Sequence, residues 1–407
     1  MIIIMKKHSF YRACAVAFFG LFALAQAATL HLGLSKVVDT NTTMPGSGKH
    51  YEQLGLPTYH DGRIVFAGSA SLFVNGLYDN IPGYVQLVAD NQTHLPLSKT
   101  TFFSNFFSQQ ALAGLPSMNK GQIVFYAESA GQAGLYRLRQ DHLSVIANAQ
   151  TMFPGSQQAF DYLAYPTLLG TGQVVFLGGS GSSYGVFVAD NQGKLQRLMS
   201  VNDTPIPQGK GRFEKILSLS ISPTNRATDY AFVGAGDKGQ MGVYVSHQQS
   251  LMRVVNRKMK MPGGVGFFSH FSHVVDAGHS VGFIADGLLG EEGIYVYNQR
   301  GLLKIATTND LAPLGQGKFS HFDGLAMSGD QLLFQATGES GEQGLYLYVP
   351  IDGLFKVLSK GDKINGKTIQ RVSVGPKSFE GNHVAMRVTF EDGTIAEYIA
   401  TLTLGQY

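Results

Sequence analysis

A period of about fifty residues constrains the fold of this chain more than any other feature. A short apolar segment recurs, and each copy ends in an aromatic residue except the weaker seventh copy. The seven copies end at Phe66, Phe125, Phe176, Phe232, Phe283, Phe334 and Met386. Successive ends lie 59, 51, 56, 51, 51 and 52 residues apart. Self-similarity at a fixed period indicates a repeat architecture in which each repeat is one supersecondary unit. We therefore expect seven equivalent units.

Each unit contains four short segments in a fixed order. In the fifth unit, "FFSHFSHVV" precedes the segment that ends at Phe283, and "GIYVYN" and "LLKIATT" follow it. Their length, their β-branched and aromatic content and their Gly turns are typical of strands. The second segment, such as "VVFLG", is apolar at every position, so both of its faces should be buried. The sequence therefore predicts an all-β fold, a seven-bladed β-propeller of four-stranded blades stacked around an axis.

The two chain ends predict how the ring is closed. The seventh unit, from "TIQRVSV" to "TIAEYIATLTL", stops after three strands. The segment "LHLGLSKVVDTNTTMPG" from Leu30 has the character of a fourth strand with its connector, and no first three strands precede it. We expect residues 30–38 to pair with residues 395–402 and complete the last blade, which removes open sheet edges. Residues 28–407 then form a single domain, with a closing strand and connector in residues 28–48 and the repeats in residues 49–407.

Residues 1–27 have the pattern of an export signal. Lys6, Lys7 and Arg12 form a basic start, an apolar segment runs over residues 13–24, and Ala25-Gln26-Ala27 is a small-residue cleavage site. The apolar segment is well below the roughly 20 residues that span a bilayer. Cleavage would also remove Cys14, the only cysteine. We expect a periplasmic or secreted protein without disulfides.

Charge limits the partners that this protein can have. The first 27 residues hold three of the 31 basic residues, which leaves 28 Lys and Arg against 28 Asp and Glu. Nucleic acid and anionic membranes require a concentrated positive patch, and no basic stripe is present. No later segment is apolar over enough residues to cross a bilayer, so no transmembrane anchor is expected after cleavage. We expect a monomer that binds a protein or a small-molecule ligand.

The connectors between units repeat a recognisable phrase. It occurs as "DTNTTMPGSGKHY" from Asp39, as "DTPIPQGKGRF" from Asp203 and as "NDLAPLGQGKF" from Asn309. Pro and Gly in these positions are typical of turns. The phrase resembles the D-T-x-T-P-x-P-x-G-x-G-x-F connectors of a poorly characterised family of exported bacterial repeat proteins. The resemblance covers nearly the whole chain after residue 27 and implies a propeller-like repeat and export, but no activity. "RKMKMPGGVGFF" from Arg257 and "KGDKINGKTI" from Lys360 depart from the phrase.

One position of the first strand is polar in all seven units. It lies two residues after the aromatic or aliphatic residue that begins the strand. These residues are Gln53, Asn105, Tyr162, Lys215, His270, His321 and Arg371. We call this set the seven-residue ring and predict that it faces one ligand near the propeller axis. The alternative interpretation is that inner strands are polar because they meet water in a central channel.

Catalysis has weaker support in the sequence. His270 and His321 are one repeat apart, but a zinc site would need a third ligand, and neither an HExxH motif nor a Cys pair is present. We therefore predict no metal and no cofactor. Glu52, Asp161 and Glu214 could serve glycoside hydrolysis only at the right separation, and acidic residues beside turns are commonly turn formers. The sequence favours a non-catalytic binding module, with a hydrolase or lyase near His270 and His321 as the alternative, and leaves open whether the protein is an enzyme.

Two apolar stretches have extra length. "SASLFVNGLYDNIPG" begins at Ser69 in the first unit, and "SNFFSQQALAGLPSM" begins at Ser104 in the second unit. Exposed Phe and Leu side chains would indicate a contact surface. The alternative is that these stretches fold back as a lid over the propeller.

Overall fold

The structure is a computed structural model that describes residues 29–71, 74–108, 112–224, 226–315 and 317–405. The predicted export signal and its cleavage site lie outside these residues. The described residues form antiparallel β-sheets and one short 3-10 helix, Asp237–Gly239. Seven sheets form seven blades in a ring, which confirms the predicted seven-bladed propeller.

The strands follow the chain order blade by blade. Blade 1 contains β2 (Gln53–Leu54), β3 (Thr58–His60), β4 (Arg63–Ser71), β5 (Val74–Ile81) and β6 (Tyr84–Asp90). Blade 2 contains β7 (Ser117–Asn119), β8 (Gln122–Ser129), β9 (Gln132–Arg139) and β10 (His142–Asn148). Blade 3 contains β11 (Tyr162–Leu168), β12 (Val174–Ser180), β13 (Ser183–Ala189) and β14 (Leu195–Ser200). Blade 4 contains β15 (Phe213–Ser220), β16 (Tyr230–Gly236), β17 (Gln240–His247) and β18 (Ser250–Asn256).

The remaining three blades complete the ring. Blade 5 contains β19 (Phe268–Asp276), β20 (Val281–Gly287), β21 (Glu292–Asn298) and β22 (Gly301–Thr307). Blade 6 contains β23 (Phe319–Ser328), β24 (Gln331–Gly338), β25 (Gln343–Val349) and β26 (Gly353–Ser359). Blade 7 contains β27 (Lys363–Ile364), β28 (Lys367–Ser373), β29 (Phe379–Glu380), β30 (His383–Phe390), β31 (Ile395–Gly405) and the N-terminal β1 (Thr29–Asp39).

The closing strand lies where the sequence predicted it. β1 pairs antiparallel with β31, from Thr29 opposite Gly405 to Asp39 opposite Ala396. The last blade is thus built from both chain ends, and the order of its long strands is β1, β31, β30 and β28. Because β1 covers the outer edge of β31, that edge is not left open for pairing with other chains.

Three aromatic rings build the core of a typical blade. The first aromatic side chain lies just before the first strand or begins it, and it meets the aromatic side chain on the third strand edge to face. The aromatic side chain on the second strand stacks more nearly parallel to that of the third strand. In blade 4, for example, Phe213 meets Tyr244 at 4.8 Å and 88°, and Phe232 stacks on Tyr244 at 5.5 Å. Gly234 makes room for this packing, because a Cβ there would lie 2.7 Å from the Phe213 ring. The regular aromatic positions in the sequence therefore follow from one packing unit that is used repeatedly.

Hydrophobic clusters join neighbouring blades. The buried residues of the described chain form seven such clusters, each of which combines residues from two adjacent blades. One cluster packs Val38 and Ala385 of blade 7 against Phe66 and Tyr78 of blade 1. Burial of apolar area at these interfaces stabilises the ring at about 25 cal/mol per Å².

The repeated connector phrase is a turn built on side-chain hydrogen bonds. The Thr42 hydroxyl donates to Asp39 Oδ1 at 2.9 Å, and the Asp39 amide donates to Thr42 Oγ1 at 3.1 Å. Asp90 with Thr93 and Asn148 with Thr151 make the same pair of bonds. These bonds satisfy backbone groups where the chain leaves one blade for the next. The phrase therefore specifies the passage between blades.

Both apolar stretches of extra length have buried side chains among their described residues. The stretch from Ser69 supplies the end of β4 and all of β5, and Ala70, Leu77 and Tyr78 are buried. In the second stretch Phe106, Ala113 and Leu115 are buried as well. Their described residues therefore contribute to the core.

Candidate functional site

The seven-residue ring lies at one end of the inner strands. The connectors enter the blades at this end, which we call the connector face. In blades 4 to 7 the ring residue directly follows a β-bulge, at Lys215, His270, His321 and Arg371. A bulge re-aims the side chains beside it. The ring position is therefore shaped by a local irregularity as well as by strand alternation.

Three members of the seven-residue ring lie at ion-pair distance from carboxylates. His270 Nδ1 lies 3.5 Å from Asp286, and Arg371 lies 3.6 Å from Asp323 of blade 6. His321 Nδ1 lies 2.9 Å from Glu292 of blade 5, which also accepts the Phe322 amide. Burial raises the pKa of Glu292. The two histidines thus have separate carboxylate partners, and the described residues contain no group of three or more His, Cys, Asp or Glu side chains that could hold a metal ion.

Three members of the seven-residue ring line open clefts between blades. A cleft of about 660 Å³ between blades 2 and 3 contains Tyr162, Glu128 and Asp161. A second cleft of about 510 Å³ between blades 6 and 7 contains His321 and Arg371. Asn105 donates to Phe107 O at 2.7 Å. The remaining members, Gln53, Asn105, Lys215 and His270, line neither cleft. One ligand for all seven residues stays a prediction.

All seven blades meet at a different cavity, at the other end of the axis. It encloses about 200 Å³ where the inner strands turn into the second strands, and we call it the axial cavity. Each blade contributes to its wall, and none of the seven ring residues does. One wall residue from each blade in order is Tyr59, Asn119, Thr167, Ser222, Asp276, Ser328 and Lys377.

Proline shapes one side of this cavity. Blades 7, 1, 2 and 3 are consecutive in the ring, and each has a proline within or at the edge of its inner strand. These residues are Pro376, Pro57, Pro116 and Pro166. Proline has no N–H to give to a sheet ladder, so the strand bulges or breaks there. By contrast, β15, β19 and β23 of blades 4 to 6 are single strands without proline.

Lys377 uses the backbone groups that these bulges release. The residue lies between β28 and β29, directly after Pro376. Its Nζ donates to Pro166 O at 2.6 Å and to Leu115 O at 3.2 Å, in blades 3 and 2. The side chain is half-buried and lines the axial cavity. Burial lowers the pKa of this amine to about 7, because a charged group loses hydration in the channel.

An ion pair lies beside Lys377 on the cavity wall. His60 Nδ1 of blade 1 lies 3.0 Å from Glu380 of blade 7, and Glu380 also accepts the Asp61 amide at 2.9 Å. The hydrogen bond from Glu380 raises the pKa of His60, and the same bond lowers the pKa of Glu380. Glu380 is thus already engaged by His60, three residues from Lys377.

A second, smaller cavity continues the axial cavity inside the channel. It encloses about 70 Å³ and shares Leu112, Tyr165, Leu219 and Pro376 with the axial cavity. His273 lies on its wall, and burial lowers the pKa of this imidazole. Leu112 belongs to the blade 2 stretch of extra length, so this stretch helps to close the channel.

Comparison with known proteins identifies the family and supports the fold. Residues 60–383 match a family of unknown function, DUF7453. The chain belongs to this family. No curated protein matches its sequence. No curated relative therefore indicates an activity for this DUF7453 member.

Two solved structures have a fold similar to that of this chain. The β-propeller domain of the Trilobed protease from Pyrococcus furiosus, which has an open velcro topology, is similar with a TM-score of 0.53 and 10% identity. That match covers 87% of this chain and 98% of the other. A puromycin-hydrolyzing peptidase from Mycobacterium tuberculosis is similar with a TM-score of 0.51 and 14% identity, over 83% of this chain and 50% of the peptidase. This DUF7453 member thus spans about half the length of that peptidase, and the likeness concerns the fold alone.

The described residues of this DUF7453 member include no helix with the length and hydropathy needed to cross a bilayer.

Sequence reasoning missed Lys377. Aligning the inner strands on their first aromatic residue led to the position two residues later, at the connector face. The sequence nevertheless marks the other end of the inner strands, where the axial cavity lies. Four inner strands have a proline there: Pro57, Pro116, Pro166 and Pro376. A lysine directly after one of these prolines could have been selected as a channel residue.

Proposed function

We propose that this protein is an exported, non-catalytic binding module that takes a small ligand into the axial cavity. The observation that carries the proposal is the cavity itself, to which all seven blades contribute and which the half-buried Lys377 lines. A concave site with a few convergent polar groups is the usual form of a small-molecule site.

The free-energy cost of partly burying the Lys377 ammonium group supports a functional role for this residue. Burying an ammonium group is unfavourable unless it is well paired, and an apolar side chain could fill the channel at lower cost. Perturbed titratable groups cluster at functional sites. The axial cavity has such a group, whereas the ring histidines are each paired with a carboxylate on the open connector face.

Export belongs to the same proposal. The basic and apolar leader with its small-residue cleavage site, and the connectors that resemble those of exported bacterial repeat proteins, support a periplasmic or secreted protein. A fold without cysteine after residue 27 tolerates an oxidising compartment. We take the exported form to be a monomer.

Two matched substitutions, each of an alanine by leucine, test the location of the binding site. Ala277 lines the axial cavity, and Ala159 lines the cleft between blades 2 and 3. Ala277→Leu should fill part of the axial cavity, and Ala159→Leu makes the same change in the cleft. The measurement is saturation-transfer NMR with a panel of small organic acids, amines, alcohols and sugars.

The proposal expects at least one compound to bind the wild-type protein without being converted, to lose binding in Ala277→Leu and to keep it in Ala159→Leu. Binding that is lost only in Ala159→Leu would move the site to the connector face. A panel without any binder, or a compound that the protein converts, would contradict a non-catalytic small-molecule binder.

A further inference from the structure

The hydrogen bonds of Lys377 leave one donor of its ammonium group for a ligand. An ammonium has three N–H donors. Two of them point to Pro166 O and Leu115 O, and the half-buried side chain has its remaining access through the axial cavity that it lines. A ligand in this cavity can therefore accept the third hydrogen bond.

No carboxylate in the part of the chain that the structure describes forms an ion pair with Lys377. Among the described residues, burial is the one influence that shifts its pKa, and no acidic side chain contributes. Glu380 is paired with His60, and Asp276 Oδ1 accepts the Gly278 amide at 2.8 Å. Within the described residues, the ammonium donates to two backbone carbonyl groups. A negatively charged ligand group would supply the missing countercharge.

The rest of the wall limits the ligand to one negative group. Met118, Leu219, Ile221 and Met327 give the cavity apolar surface that suits a hydrocarbon body. Glu380 and Asp276 are also on the wall, so a second carboxylate on the ligand would meet like charge. A volume of about 200 Å³ holds roughly seven groups the size of a water molecule, at ~30 Å³ each.

We propose that the axial cavity binds small organic monocarboxylates of about seven non-hydrogen atoms, whose carboxylate accepts a hydrogen bond from Lys377. The inference rests on the proposed function and specifies its ligand class. The lowered pKa of Lys377 agrees with it, because a bound anion would stabilise the protonated amine and binding above neutral pH would take up a proton.

The experiment uses pentanoate as the probe and compounds of similar length as its controls. Isothermal titration at pH 6.5 compares pentanoate with pentanol, pentylamine and glutarate on the wild-type protein. Two substitutions accompany it, Lys377→Met and Lys120→Met. Lys120 is the matched control because its Nζ also donates to a backbone carbonyl, that of Gly170 at 2.8 Å, but is exposed outside the axial cavity.

We expect pentanoate to bind more tightly than the three other compounds and to lose about tenfold or more in affinity in Lys377→Met, which corresponds to one charged hydrogen bond. Lys120→Met should leave the affinity unchanged. Pentanol that binds as tightly as pentanoate, or pentanoate binding that is indifferent to Lys377→Met, would overturn the inference. If compounds bind in a manner sensitive to Ala277→Leu but without preference for an anion, the proposed function stands and only the ligand class fails.

A second measurement needs no substitution at Lys377, and so it decides the question even if Lys377→Met fails to fold. Titrations of the wild-type protein with pentanoate at pH 8, in two buffers of different ionisation enthalpy, give the number of protons that binding takes up. We expect close to one proton per pentanoate. Binding without proton uptake would overturn the inference.

Discussion

The side chain of Lys377 in blade 7 crosses the channel to the carbonyl oxygen of Pro166 in blade 3, at 2.6 Å. The two residues lie three blades apart in a ring of seven, and their contact connects nearly opposite sides of the channel. Since Lys377 also reaches Leu115 of blade 2, one ammonium group connects three blades around the axial cavity. This arrangement gives the cavity its charge.

Lys377 should give the free energy of unfolding a specific pH dependence. Its pKa is about 7 in the folded protein against a usual 10.5, so between these values the unfolded chain holds a proton that the folded chain has lost. Stability should therefore rise with pH in this window, by at most about 1.4 kcal/mol per pH unit from this group. In Lys377→Met this rise should be absent. Urea denaturation at pH 7, 8 and 9 measures it, with Lys120→Met as the control that keeps the wild-type slope.

The His60–Glu380 pair predicts a dependence of opposite sign. The pKa of His60 is raised, so its contribution is fully present below the usual 6.5 and is lost as pH rises through the raised pKa. The pKa of Glu380 is lowered, so its contribution is lost only when pH falls through that lowered value. Glu380→Gln should therefore lower the melting temperature most near pH 5.5 and least near pH 8.5. A loss that is equal at both pH values would contradict the ion pair, and exposed Glu391→Gln is the control.

Glu397 should destabilise the closing blade at high pH. It is buried in β31 opposite Val38 of β1 and Arg387 of β30, and burial raises its pKa well above the usual value. The folded protein therefore holds this proton at pH values where the unfolded chain has lost it, and stability falls as pH rises above about 4.5. Glu397→Gln should match the wild type at pH 5 and exceed it at pH 8 in denaturation midpoint. Equal midpoints at pH 8 would mean that Glu397 keeps its charge at low cost.

The ring closure can be locked covalently. A Cβ on Gly33 of β1 would lie 3.8 Å from the Thr401 Cβ of β31, which is the usual Cβ separation in a disulfide. Gly33→Cys with Thr401→Cys, in a Cys14→Ser background, should therefore form a disulfide on mild oxidation. The bond should stabilise the protein by up to about 5 kcal/mol, because it joins residues near the two chain ends. Thiol titration and the shift in denaturation midpoint on reduction measure this. Failure to form the bond would contradict the pairing of β1 with β31.

The sequence predicted the ring of blades because the same packing of apolar and aromatic side chains recurs from blade to blade. Aromatic residues equivalent to Phe213, Phe232 and Tyr244 recur in the same order in blades 1 to 3, 5 and 6, so their recurrence marks the blades. The sequence also predicted the ring closure, because the seventh unit lacks a fourth strand and the N-terminal segment supplies one. In the structure this segment is β1, which pairs with β31. These features depend on local pattern and on counting strands.

The axial site could not be predicted in the same way. Lys377 meets Leu115 and Pro166 across 262 and 211 residues of sequence, and their contact exists only because the ring closes. It also depends on bulges at proline that release two carbonyl groups from the ladders. The seven-residue ring rests on an alignment of the inner strands that assumes a regular strand register. Bulges shift that register directly before Lys215, His270, His321 and Arg371.

A crystal structure of the full chain with pentanoate would show whether the ligand lies against Lys377. We expect electron density for one pentanoate in the axial cavity, with a carboxylate oxygen within about 3 Å of Lys377 Nζ. Pentanoate that occupies only the clefts of the connector face, or an axial cavity that holds only water at saturating pentanoate, would contradict this expectation.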